Sequence, residues 1–121
     1  MSLLLALFAV TATCQPNSSP AGAAPQRVRA YFAAINARDE AAVGAFLMPG
    51  ATYESPRAQL MLLAEVMTMF VATPEAERLD VTEAIVRGGT VFVRTRTPSG
   101  SEASAAVRFE GGCVAEFVQT S

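Results

Sequence analysis

Apolar residues recur at helical spacing from Pro25 onward. The residues that share one face of this predicted first helix are Val28, Tyr31, Phe32 and Ile35. They are three or four residues apart, as side chains along one side of an α-helix are. The pattern therefore predicts an amphipathic helix with one face buried.

A second, shorter helix is predicted to begin after Asp39, because aspartate is a favourable N-cap residue. The apolar residues Val43, Phe46 and Leu47 extend this helix along the chain. The dipeptide at 49–50, Pro-Gly, is expected to stop it, since neither residue continues a helix well.

A short strand is predicted at 51–55, followed by a third helix over about 56–71. Ser55 before Pro56 has the form of an N-cap with proline at the first helical position. The apolar face of this helix comprises Leu60, Leu63, Val66, Met67, Phe70 and Val71, with Met61 and Met69 extending it. Methionine on such a face is typical of core packing.

After residue 79 the apolar pattern changes to alternation, which is typical of half-buried strands. Four strands are predicted, at 79–87, 90–97, 102–110 and 113–119, with tight turns between them. Within the second of these strands Val91, Val93, Thr95 and Thr97 share one face and the arginines share the other. An antiparallel meander with helices on one face follows, so the expected fold class is α+β.

The first 23 residues differ from the rest. Residues 3–10 form an apolar run that is too short to span a bilayer but fits the core of a secretory signal. Residues 15–24 have the composition of a flexible linker. Cys14, between the two, resembles the lipidated cysteine of bacterial lipoproteins, although Thr11 and Thr13 depart from the preferred residues. The alternative is a frayed apolar N-terminus.

These features predict a signal-like segment and linker at 1–23 and one domain at 24–121. The protein is then exported or associated with the envelope, with membrane attachment through its N-terminus if Cys14 is lipidated. If the segment is not a signal, the protein is cytoplasmic.

The amino-acid composition limits the catalytic and binding chemistry that the chain can perform. The chain has no histidine, no lysine and no tryptophan, and its net charge is −2. The commonest general base, the commonest metal ligand and any Schiff-base nucleophile are therefore missing. The arginines are scattered singly, so no basic stripe indicates nucleic acid. Cys14 and Cys113 form no CxxC pair, and Cys113 is interpreted as a small buried hydrophobe. We expect no cofactor, no metal and no nucleic-acid partner.

Three stretches, at 28–39, 46–47 and 51–56, are similar to the N-terminal half of ketosteroid isomerases. The Gly-Gly turn at 111–112 resembles the last hairpin of that family. The order of elements is that of the nuclear transport factor 2-like superfamily, which includes the SnoaL-like polyketide cyclases. This resemblance covers nearly all of 25–119. It implies a cone-shaped curved antiparallel sheet that encloses one pocket with the three helices.

The resemblance also implies positions for the family's chemistry. Ketosteroid isomerases use a tyrosine and a neutral carboxylic acid to bind an enolate oxygen, and a carboxylate base to move the proton. Tyr31 falls on the tyrosine position, but Ser55 occupies the base position and the second acid falls near Ala105. A serine cannot act as a base near neutral pH without a histidine or lysine to activate it. The usual isomerase reaction is therefore not expected.

The resemblance places a set of residues at the pocket: Tyr31, Tyr53, Ser55, Phe32, Val28 and Met67. Tyr31 and Ser55 are the candidates for any catalytic role. Each also has a structural explanation, since Tyr31 suits a buried helix face with its hydroxyl satisfied, and Ser55 suits an N-cap.

Three functions remain open from the sequence. The leading hypothesis is a domain that binds a small apolar molecule, with Tyr31 as its one directional polar contact. The second is an isomerase- or cyclase-type enzyme acting on a ketone or polyketide-like substrate, with Glu54 or Glu65 as base. The third is an envelope-attached dimerisation module, because this superfamily often forms homodimers through the sheet face that here carries Arg94, Arg96 and Arg108.

Overall fold

The computed structural model describes residues 9–16, 24–57 and 59–120. Within these ranges the helices are α1 (Ala24–Asn36), α2 (Glu40–Gly44) and α3 (Leu63–Val71). The strands are β1 (Leu47–Glu54), β2 (Met61–Leu62), β3 (Asp80–Arg87), β4 (Thr90–Arg96), β5 (Glu102–Glu110) and β6 (Cys113–Gln119). They form one sheet in the order β2-β1-β6-β5-β4-β3. The predicted α+β class, with three helices and a curved sheet, is confirmed.

The predicted meander is present, because each strand from β3 to β6 pairs antiparallel with the next. Alternation along β4 places Val91, Val93 and Thr95 inside and leaves Arg94 and Arg96 exposed, as expected. β1 joins the other side of β6 in a parallel pairing. Alternation within a single strand carries no information about that partner.

The prediction that the second helix reaches Leu47 is wrong. Asp39 caps α2 as expected, since its side chain accepts a hydrogen bond from the Ala42 backbone N–H, but the helix ends at Gly44. The Phe46 carbonyl instead accepts a hydrogen bond of 2.7 Å from the Val114 N–H of β6. Pairing with β6 therefore outweighs the helical pattern at 46–47. The Pro-Gly pair at 49–50 lies inside β1, where the register with β6 shifts.

The third helix is shorter than predicted. It begins at Leu63, and its N-cap position is Leu62, which makes no side-chain cap hydrogen bond. Ser55-Pro56 is therefore not the cap. Met61 and Leu62 pair with Tyr53 and Thr52 of β1 instead, so this part of the predicted helix is a short strand.

The core lies between the helices and the concave face of the sheet. From α1 it receives Val28, Tyr31, Phe32 and Ile35, the face that the sequence predicts. From the sheet it receives the inward-facing residues of β4 and β5, among them Val91 and Val107, which are both fully buried. The first helix thus forms one wall of any space that remains inside.

Residues 9–16, here called the N-terminal strap, pack against this core. The Val10 N–H donates to Thr68 Oγ1 (2.9 Å), and the Cys14 N–H donates to the Leu47 carbonyl (2.9 Å). Val10 is buried in the same apolar cluster as α1. The predicted separation of 1–23 from the domain therefore does not hold for the strap. Most of the predicted apolar run and linker, at 1–8 and 17–23, falls outside the described residues.

A disulfide joins Cys14 of the strap to Cys113 at the start of β6. Cys113 is fully buried, as its interpretation as a small buried hydrophobe expects, but its sulfur is bonded to Cys14. The same bond contradicts lipidation of Cys14, because a sulfur in a disulfide cannot also carry a lipid thioether. In the parts of the chain that the structure describes, no helix is long and apolar enough to cross a membrane.

Candidate functional site

A partly open cavity of about 100 Å³ lies between α1 and the concave face of the sheet. Its walls come from α1, from the segment before β3 and from β4, β5 and β6. The lining residues are Phe32, Leu79, Thr95, Ala103, Ser104, Ala105, Phe117 and Gln119. All of these side chains are uncharged, and most of them are apolar.

Small residues on β5 leave room for this cavity. Ala103 lies opposite Thr95 in the β4–β5 register, and Ala105 lies opposite Val93. Directly opposed residues on one face of a sheet are near neighbours, so a methyl group at these two positions leaves the space above them unfilled. A larger side chain at either position would occupy it, since protein interiors are otherwise close-packed.

The edge of the cavity is fixed by a reciprocal pair of hydrogen bonds at the end of α1. Asn36 Nδ2 donates to the Leu79 carbonyl (2.9 Å), and the Leu79 N–H donates to Asn36 Oδ1 (2.8 Å). This amide clamp holds the segment before β3 against α1. Leu79 is thereby positioned as one of the lining residues.

A second support comes from β1, the strand next to β6. The Tyr53 ring stacks on Phe117, with ring centroids 5.8 Å apart and planes 18° apart. The Tyr53 hydroxyl donates to Gln119 Oε1 at 2.7 Å. Tyr53 does not line the cavity itself, but it fixes two residues that do.

With tyrosine and cysteine set aside, Thr95 is the only buried residue with a polar or charged side chain that the described ranges contain. It is 6% exposed and faces the cavity from β4. Within the described ranges its hydroxyl has no hydrogen-bond partner, whereas Ser104 and Gln119, the other polar lining residues, have partners.

Tyr31 lies elsewhere in the core. It is 0% exposed, and its hydroxyl donates to Met67 Sδ at 3.3 Å. Its ring meets those of Phe32 and Phe46 edge-on, with centroids 5.6 Å and 5.8 Å away. Complete burial raises the pKa of the Tyr31 phenol far above its ordinary value. In this position Tyr31 cannot be the directional contact of a cavity ligand.

Of the six residues predicted at the pocket, the structure places one, Phe32, on the cavity wall. Met67 covers the Tyr31 hydroxyl, and Val28 is fully buried in the core. Ser55 lies just after β1, partly buried, and Tyr53 supports the wall from the neighbouring strand. The predicted set is therefore divided among the core, the cavity and its supports.

The residues proposed as alternative bases do not reach the cavity. Glu54 ends β1 and Glu65 lies in the first turn of α3, and both are exposed. Ala105, which the resemblance aligns with the second acid, does line the cavity. Among the described residues no cluster of acidic or cysteine side chains could hold a metal ion.

Thr95 is the lining residue that the sequence could have singled out. Alternation along β4 puts it on the inner face with Val91 and Val93, where it is the polar member. Its importance depends on Ala103 opposite it and on Ala105 next to that on the same face, and this register is known only from the structure.

A comparison with known protein families agrees with the order of helices and strands described above. Residues 28–119 match the SnoaL-like domain family. This chain belongs to that family. No curated protein matches it.

Solved structures support the same SnoaL-like fold. A candidate polyketide cyclase from Sinorhizobium meliloti is 20% identical, with a TM-score of 0.68, covering 84% of this chain and 99% of that one. A candidate ketosteroid isomerase from Kribbella flavida is 19% identical, with a TM-score of 0.68, covering 78% and 74%. A protein of unknown function with a cystatin-like fold, from Methylobium petroleophilum, is 14% identical, with a TM-score of 0.71, covering 84% and 77%. At such identities the likeness establishes the fold alone.

Proposed function

We propose that this SnoaL-like domain binds a small, mostly apolar molecule in the cavity beside Phe32. The observation that carries the proposal is a partly open cavity walled by apolar side chains with few polar groups. Small-molecule sites in proteins commonly have this composition. None of its lining residues is charged, so a charged ligand would lose its hydration without gaining a counter-ion.

The volume limits the size of the ligand. The cavity measures about 100 Å³, whereas an engineered cavity of about 150 Å³ holds one benzene molecule and drug-sized ligands occupy about 300 to 1,000 Å³. Because the cavity is partly open, a molecule of about five or six non-hydrogen atoms, such as benzene, fits with one edge in the opening. A steroid or a polyketide could insert only one edge through the open side.

The test fills the cavity and compares the result with a substitution on the other face of the same strand. Ala105→Leu adds volume inside the cavity, whereas Ala106→Leu adds it on the outer face, where Ala106 lies between Phe92 and Val118. Benzene binding is measured by NMR titration. We expect saturable binding to the wild-type protein and to Ala106→Leu. Binding should be lost in Ala105→Leu.

Two results would contradict this proposal. One is the absence of saturable benzene binding to the wild-type protein. The other is unchanged binding in a folded Ala105→Leu variant.

An isomerase or cyclase activity is the alternative, and only the names of two structural neighbours favour it. Such an enzyme needs a base, and the exposed carboxylates of Glu54 and Glu65 are the candidates. The test is exchange of the α-protons of cyclopentanone for deuterium in the presence of the protein. Exchange no faster than in buffer would remove this alternative, and exchange abolished by Glu54→Gln or Glu65→Gln would support it.

We also propose that the domain works in an oxidising compartment, because disulfides persist in exported proteins and are rare in the cytosol. The Cys14–Cys113 bond is the observation behind this. Thiol labelling of denatured protein from its own host, with and without a reductant, tests it. Labelling only after reduction is expected, and equal labelling in both samples would contradict it.

A pair of exposed apolar residues favours self-association as a second role. Ile85 and Phe92 lie opposite each other on β3 and β4 and are 45% and 46% exposed. They are on the outer face predicted to form a homodimer, together with Arg94. Analytical ultracentrifugation should show a dimer that Phe92→Ser dissociates, and a wild-type monomer at high concentration would exclude it.

A further inference from the structure

The Thr95 hydroxyl carries information about the ligand beyond its size. Thr95 extends inward from β4 next to Val93, and only 6% of its surface is accessible. Its hydroxyl has no hydrogen-bond partner within the described ranges, yet no fully buried side-chain oxygen there lacks a partner. The oxygen must therefore reach accessible space, and the accessible space at this residue is the cavity.

The folded protein gains little from a hydroxyl at this position. The Thr95 hydroxyl makes no hydrogen bond to the protein within the described residues, and its oxygen faces the cavity. A valine side chain could line the cavity at this position without a polar group. The hydroxyl becomes favourable when a molecule in the cavity completes its hydrogen bond.

The surroundings also indicate which group completes the bond. The Thr95 hydroxyl can donate one hydrogen bond and can also accept, and its hydrogen is satisfied only by an acceptor such as an oxygen of the ligand. The acceptor should be neutral, because no lining residue of the cavity carries a compensating charge. The volume allows one small ring or branched chain around that oxygen.

We infer that the ligand is a neutral molecule of about five or six non-hydrogen atoms with one acceptor oxygen placed against Thr95 Oγ1. This inference rests on the proposed binding function. It makes Thr95 a specificity-determining residue, while Phe32 and the alanines of β5 provide the apolar enclosure.

Three ring compounds of similar size test whether the cavity prefers an acceptor oxygen, an apolar group or a positive charge. Cyclopentane, tetrahydrofuran and pyrrolidinium differ at one ring position, which is a methylene group, an ether oxygen or a charged ammonium group. Their affinities are measured by NMR titration with the wild-type protein, Thr95→Val and Thr95→Ser. The ratio of the tetrahydrofuran affinity to the cyclopentane affinity in one variant is the quantity compared.

We expect wild type to bind tetrahydrofuran and cyclopentane, and not to bind pyrrolidinium measurably. In Thr95→Val the affinity ratio should fall by roughly three- to tenfold, the range for one uncharged hydrogen bond. Thr95→Ser keeps the hydroxyl and should restore the preference for tetrahydrofuran. Nuclear Overhauser effects should connect the tetrahydrofuran protons to the Thr95 methyl group of the wild-type protein.

These measurements distinguish a failure of the proposed binding function from a failure of the role assigned to Thr95. If neither neutral ring binds the wild-type cavity, the proposed function itself is wrong. If both rings bind and Thr95→Val leaves their ratio unchanged, the binding function stands and the role of Thr95 is overturned. Should Thr95→Val fail to fold, absent Overhauser effects between tetrahydrofuran and Thr95 would overturn it equally.

Discussion

The space between α1 and the sheet has two parts with opposite packing. At the closed part, defined by Tyr31, Phe46 and Met67, side chains fill the volume, and the N-terminal strap lies against the neighbouring elements. At the open part, defined by Phe32, Thr95 and Ala105, small residues leave a cavity. Tyr31 and Phe32 are adjacent on one helix and yet belong to different parts.

The hydroxyl groups of Tyr31 and Thr95 explain what this difference means. The Tyr31 hydroxyl is satisfied within the protein by Met67 Sδ, so it contributes to folding. The Thr95 hydroxyl has no such partner in the described residues and faces the cavity. A polar group is available for a ligand when the fold leaves it unsatisfied next to a cavity, whatever its position in a family pattern. That criterion selects Thr95 rather than Tyr31.

The largest expected effect tests the closed part. An added Cβ at Gly44 would lie closer than 3.0 Å to the Thr11 carbonyl oxygen of the strap. Gly44→Ala must therefore displace the strap or α2, and we expect a loss of about 2 to 3 kcal/mol in the free energy of unfolding, as for an overpacked core. Urea denaturation measures this loss.

Gly89→Ala is the matched control for that substitution. Its added Cβ would meet the Phe109 carbonyl oxygen at 3.5 Å, an ordinary contact. Benzene binding at the open part should survive in both variants. Equal stability of the two variants would show that the strap does not pack against Gly44 as described.

A smaller effect is expected when the Tyr31 hydroxyl is removed. Tyr31→Phe keeps the ring contacts but loses the hydrogen bond to Met67 Sδ, which should cost about 1 kcal/mol at neutral pH. Probe binding to the cavity should not change, because Tyr31 does not line it.

The pH dependence gives this variant a second readout. Burial raises the pKa of folded Tyr31 above the value of 10.0 for an ordinary phenol. The group's contribution to stability is therefore complete below about pH 10 and is lost as the pH rises further, because only the unfolded state ionises there. Tyr31→Phe should show a shallower alkaline loss of stability than wild type. Parallel pH profiles would contradict the burial of this phenol.

Local pattern predicts the fold well where the chain needs no distant partner. The bounds of β5 and β6 match the sequence prediction to the residue, because alternation and the glycine turn between them are both local. Gly111 and Gly112 have positive φ values of 54° and 88°, which glycine adopts readily. Leu47 and the strand at 61–62 are predicted as helix from the sequence, because only pairing with β6 and β1 makes them extended.

The candidate site was less predictable for the same reason. Thr95 was placed on the inner face by alternation, but its empty surroundings depend on the register that brings Ala103 opposite it. The disulfide could not be predicted either, because its cysteines are 99 residues apart in sequence and pairing requires their Cα atoms to approach, here to 5.8 Å. Both features depend on three-dimensional proximity.

The smallest expected effect tests the open part through its support. Tyr53→Phe keeps the stacking on Phe117 but loses the hydrogen bond that orients Gln119. We expect the tetrahydrofuran affinity to fall by about twofold, or about 0.4 kcal/mol, because the wall becomes less ordered. The alkaline stability profile should keep the steepness attributed to Tyr31. The two phenylalanine variants therefore form a reciprocal pair, since Tyr31→Phe changes the pH profile and spares binding. If Tyr31→Phe weakened probe binding more than Tyr53→Phe, the ligand would lie at the closed part, and the division between the two parts would be wrong.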